Sequence, residues 1–102
     1  MIIGGVMMSY AIAFDLKIDD LKQYYSSTTP GNAYSEIGAF LKHNGFSHQQ
    51  SSLYFGDDTV DAVRCVLTVQ QLSKKLSWLS QCVTDIRMLR IEDNNDLMPA
   101  LV

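Results

Sequence analysis

Met8-Ser9-Tyr10-Ala11-Ile12-Ala13-Phe14-Asp15-Leu16-Lys17 decides how this chain folds. From Tyr10 to Phe14 every side chain is apolar or aromatic, and the run then meets a carboxylate and an ammonium. So short a run reads as a strand buried on both faces, although periodicity alone leaves a buried helix segment open. Tyr, Ile and Phe favour the strand. Asp15 is the anomaly, because a buried carboxylate is costly unless it is paired or sits at a rim. Either it begins a loop, or a rigid central strand aims it at something.

Working outward, Ile18 to Pro30 is a polar connection holding Asp19, Asp20, Tyr24 and Tyr25. Its length calls for a helical turn over Asp19 to Tyr25 or for a mobile functional loop. Thr29 reads as a helix cap with Pro30 at the first helical position. Ala33, Ile37, Phe40 and Leu41 then recur at helical spacing until Asn44-Gly45 stops the helix. Phe46 to Phe55 holds two short strands that reverse near Gln50-Ser51. Asp58 is a cap for a second helix, with Ala62, Val63, Val66, Leu67 and Leu72 as its apolar face and Lys74-Lys75 at its end. Ser77 to Ser80 reads as a helical turn, with Trp78 as a packing anchor. Val83 to Ile91 is the last strand and carries Asp85, Arg87 and Arg90. The tail from Asn94 to Val102 ends apolar and is expected to pack on this subunit or on a partner.

A chain of 102 residues makes one domain with one core. The formal charge of -3 excludes a generally basic nucleic-acid coat, though not a local basic patch. Cys65 and Cys82 lie far apart without metal-ligand spacing, and read as reduced, buried hydrophobes of a cytoplasmic protein. Residues 1–7 are apolar, but Gly4-Gly5 interrupts them and no basic residue precedes them. They read as a disordered or dispensable extension rather than a signal peptide or membrane span, with Met7 or Met8 as alternative starts.

The order β-α-β-β-α-β is the ferredoxin-like motif, an α+β fold with a four-stranded antiparallel sheet, both helices on one face and here a C-terminal extension. Its strand order 4-1-3-2 brings Asp15, Ser52 and Asp85 to one edge of the sheet, with Lys17 on the loop above. The face without helices is expected to carry Ala11, Ala13, Tyr54 and Leu89 and to be covered by a second copy in a two-fold homodimer.

At these residues the chain resembles the virulence-associated protein D (VapD) family. The resemblance runs through Met8 to Leu16, Ala33-Tyr34, Gly45-Phe46, Gln50 to Tyr54, and Trp78-Leu79 through Thr84-Asp85-Ile86-Arg87, with Glu92-Asp93 and Asp96 behind. Ser51 stands where the family usually has glycine, and Met88-Leu89 where it has an Ala-Phe pair. The resemblance implies a homodimeric, ferredoxin-like endoribonuclease, similar in fold to the CRISPR-associated spacer-acquisition nucleases. Some members act as toxins beside a small antitoxin. It also implies that Asp15, Ser52 and Asp85 occupy the family's polar site.

For RNA cleavage the expected roles follow from the chemistry. Asp15 is the general base or the ligand of a divalent ion, with no tightly bound cofactor expected and Mg²⁺ as the candidate. Lys17 and Arg87 neutralise phosphate oxygens. Ser52 orients the phosphate or Asp15, while Asp85 shares the acid-base work or forms a salt bridge. Tyr24 and Tyr25 are the candidates for stacking on unpaired bases. His43 and His48 lack ligand spacing and read as solvated or hydrogen-bonded histidines. The rival reading is a non-catalytic dimer of the same fold that binds RNA or a protein.

Overall fold

The computed structural model describes residues 2–3, 6–7, 9–25 and 29–102. In chain order the elements are β1 (Ile2–Ile3), β2 (Val6–Met7), β3 (Ser9–Leu16), α1 (Ile18–Tyr24), α2 (Gly31–His43), β4 (Phe46–Gln50), β5 (Leu53–Gly56), α3 (Ala62–Lys75), α4 (Leu79–Cys82) and β6 (Val83–Ile91), followed by a 3₁₀ turn at Met98–Ala100. β1 and β2 pair with each other, antiparallel. The reading of residues 1–7 as an extension otherwise falls outside the described residues.

The main sheet is antiparallel in the order β4-β5-β3-β6, which is the ferredoxin-like arrangement. β3 lies inside it, and its alternation divides the molecule. Ile12 and Phe14 point to the helices and are buried with Ala33, Ile37 and Leu41 of α2 and with Cys65 and Leu72 of α3. Ala11, Ala13 and Asp15 point the other way, beside Leu53 and Phe55 of β5 and Leu89 of β6.

Tyr54 belongs to the helix-covered face, not to the open one. It pairs with Ile12 across the strands and its ring lies 6.2 Å from that of Phe14. A β carbon at Gly38 of α2 would run into the Tyr54 hydroxyl, so this glycine admits the ring. On α3 the buried positions are Cys65, Thr68 and Leu72, whereas Val63, Val66 and Leu67 are exposed. The helix is therefore rotated from the expected apolar face. A groove remains between Val66 and Val69 on one side and Ile86 and Met88 on the other.

Helix ends follow local chemistry. Asp61, not Asp58, caps α3, accepting the Arg64 N–H at 2.8 Å. Pro30 is the cap residue of α2 rather than its first turn. Asn44 closes α2 and Gly45 follows at φ +92°, as expected. The tail bends back on the open face, where Asn94 to Met98 and Leu101 line an open pocket of about 680 Å³ with Gln49, Gln50, Leu53 and Phe55. Leu97, Met98 and Leu101 stay exposed, so the packing expected of this tail is only partly supplied by its own subunit. Cys65 and Cys82 are free and buried, and burial pushes both thiols up.

Candidate active site at the sheet rim

Asp15 sits one residue before the end of β3, directly opposite Asp85 of β6. Residues opposed in this way share a face, and like charges there repel. The repulsion is relieved on one side. Arg87 lies two residues along β6, hence on the same face, and its Nε donates to both carboxylate oxygens of Asp85 at 3.0 and 2.9 Å. That carboxylate raises the Arg87 guanidinium above its ordinary pKa, first by the hydrogen bonds and then by charge. Asp15 is exposed, and no cation pairs with it among the described residues. One carboxylate is engaged and its neighbour is open.

The backbone around Asp15 is fixed from three directions. Thr84 Oγ1 donates to the Asp15 carbonyl at 3.3 Å, and the Lys17 N–H donates to the Cys82 carbonyl at 2.9 Å. The Phe14 N–H donates to the Ser52 carbonyl at 3.2 Å, which places the β4–β5 turn beside the end of β3. Lys17 caps α1 and is exposed. The structure thus brings Asp15, Asp85 and Arg87 onto one face, with Ser52 and Lys17 bonded through the backbone to the same rim.

The two tyrosines separate. Tyr24 is exposed on α1, as a stacking residue must be. Tyr25 is buried, edge-on to Trp78 with centroids 4.8 Å apart, so it belongs to the packing and not to an RNA surface. Burial and then Glu36 push its hydroxyl up in pKa. The polar connection was expected to hold both rings outside; α1 instead turns the second one inward. Sequence reasoning also missed a cleft on the far side of the β4–β5 turn, where Lys42, His48 and Tyr34 meet. Their spacing carried no signal, because the turn alone brings α2 and β4 together there.

No protein-family model matches the chain. Individual relatives do. The chain is 52% identical over 92 residues to "Endoribonuclease VapD 2" of Riemerella anatipestifer, covering 90% of this chain and 98% of that protein. This chain belongs to the VapD family. It is 48% identical to "Endoribonuclease VapD homolog" of Helicobacter pylori, over 90% of this chain and 95% of the relative. "Endoribonuclease VapD" of Dichelobacter nodosus is 40% identical, over 85% of this chain and 90% of its own length. No helix among the described residues is long and apolar enough to cross a membrane.

Proposed function

We propose that this VapD chain is an endoribonuclease whose general base is Asp15. The supporting observation is the contrast between two opposed carboxylates: Asp85 is tied to Arg87, and Asp15 is exposed on a rigid strand. In the reaction the ribose 2′-oxygen bonds to the adjacent phosphorus as its proton passes to Asp15. The bond to the 5′-oxygen breaks, and that oxygen takes a proton from water. A 2′,3′-cyclic phosphate and a 5′-hydroxyl result. Arg87, kept in place by Asp85, and Lys17 meet the charge developing on the phosphate, and Ser52 orients that phosphate.

A Mg²⁺ ion would find hard oxygen donors here; Asp85 is engaged by Arg87 while Asp15 has no ion-pair partner among the described residues, so the ion would rest on Asp15 and on RNA phosphates. When bound it would supply charge neutralisation. The apolar residues of the open face, with exposed Leu89 beside them, favour a homodimer in which two such rims face one RNA. A small antitoxin would silence the site by covering the rim. The setting that suits this chemistry is the cytoplasm.

The test is cleavage of an end-labelled single-stranded RNA by wild type and by Asp15→Ala, each with and without a chelator. The base reading requires wild-type products ending in cyclic phosphate in both conditions, and none with the variant. Equal rates for the two proteins would remove Asp15 from the mechanism. Wild-type activity abolished by chelator would make Asp15 an ion ligand instead.

A further inference from the structure

The β4–β5 turn has a second side. Ser51 stands at φ 46°, a left-handed conformation that is uncommon for a residue with a side chain. His48 Nε2 lies 2.5 Å from its carbonyl oxygen. A carbonyl only accepts, so this contact places a ring proton on Nε2. The His48 ring also lies 4.9 Å from Tyr54. The turn that carries Ser52, whose carbonyl accepts the Phe14 N–H, is therefore held by His48 on its other side.

Beside it opens a cleft of about 390 Å³. Its lining includes Tyr34 and Lys42 of α2, Phe14 of β3, and His48, Ser51 and Tyr54 around the turn. The volume falls within the roughly 300–1,000 Å³ of small-ligand pockets. Tyr34 is half-buried and lies near-parallel to Phe14 at 6.2 Å, so it is braced while partly open to solvent. Lys42 is exposed and has no acidic partner among the described residues. A braced aromatic face and an uncommitted ammonium suit a base and its neighbouring phosphate. Phe14 immediately precedes Asp15 and Ser51 immediately precedes Ser52, so the cleft opens on the helix-covered side of the same rim whose other side carries the carboxylate, and a strand of RNA reaches both by passing over that rim.

We propose that this cleft is a nucleotide subsite, seating the residue of single-stranded RNA that flanks the scissile phosphate. Tyr34 takes the base, Lys42 meets the neighbouring phosphate, and His48 positions the turn between subsite and Asp15. The proposal rests on the RNA-cleaving reading but names residues outside the chemistry.

The experiment measures a fluorescein-labelled single-stranded RNA by anisotropy across a salt series, together with steady-state cleavage. The proteins are wild type, Lys42→Ala, Tyr34→Leu and, as a control, Lys74→Ala at the end of α3. Removing one phosphate contact should lower the slope of log affinity against log salt by about 0.7 in Lys42→Ala, and not in the control. Tyr34→Leu should weaken binding about tenfold and raise KM with kcat little changed. Thermal melts confirm that each variant folds. Wild-type slope and KM in Lys42→Ala would overturn the subsite while leaving cleavage intact. Binding that depends on Lys42 in a wild type that makes no products would support the subsite and defeat the cleavage reading instead.

Discussion

The two sides of β3 are built from adjacent residues and serve opposite ends. Toward the helices, Ile12 and Phe14 are sealed under α2 and α3 with Tyr54. Toward the open side, Ala11 and Ala13 are small, and the same strand ends in an exposed carboxylate opposed to another. The first side lowers the free energy of the fold by removing apolar surface from water. The second tolerates like charges across a strand pair, an arrangement that opposes folding. A single strand can do both because its rigidity is set on one side and used on the other.

That division can be broken experimentally, and the largest effect should come from the open side. Asp15→Asn should cost on the order of 10²- to 10⁴-fold in RNA cleavage. It should leave thermal stability equal or slightly higher, since one of two repelling charges is gone. Ile12→Ala, on the covered side, should do the reverse, destabilising by about 2–5 kcal/mol in urea melts while the molecules still folded cleave normally. Loss of stability in the first variant, or of specific activity in the second, would mean that the two sides are not separable.

Smaller changes sharpen the boundary. Gly38→Ala forces the Tyr54 ring to move and should destabilise by about 1–3 kcal/mol. Val63→Ser, on the exposed stripe of α3, should change stability by no more than about 0.5 kcal/mol. Last, neither cysteine should react with a thiol reagent in the native protein, because both are buried and their thiols are raised in pKa. Reaction should follow the unfolding curve, and early labelling of Cys65 would reveal opening beside the α3–β6 groove.

What the sequence made legible was what depends on long, regular patterns. α2 buries Ala33, Ile37 and Leu41, and Phe40 lies partly buried against them. The parity of two long strands, together with the order of elements, sets Asp15 against Asp85. The misses lie where a pattern is short or the tertiary surroundings decide. β5 has only four residues, and the register shifts between His48 and Gln50 on its neighbour, so the face of Tyr54 could not be read from alternation. On α3, apolar residues stand at helical spacing on two stripes; Cys65 is readable as buried, but only the docked helix shows that Thr68 lies inward with it while Val63, Val66 and Leu67 face out. A helical turn over Asp19 to Tyr25 is one of the two readings of the polar connection, and α1 is that helix; what the sequence does not show is that Trp78, distant in the chain, draws the Tyr25 ring inward. The cleft at Lys42 and His48 left no trace in the sequence, because no local spacing encodes the approach of a helix to a turn.

Among the described residues, β6 has a neighbour on one side only. A nine-residue outer strand offers a row of backbone donors and acceptors on which another chain could extend the sheet. Arg87, Asp85 and Arg90 punctuate that border, and Arg90 reaches Glu92 at 3.3 Å. Charges along such an edge discourage side-by-side polymerisation, so replacing the arginines should make the chain more prone to form fibrils.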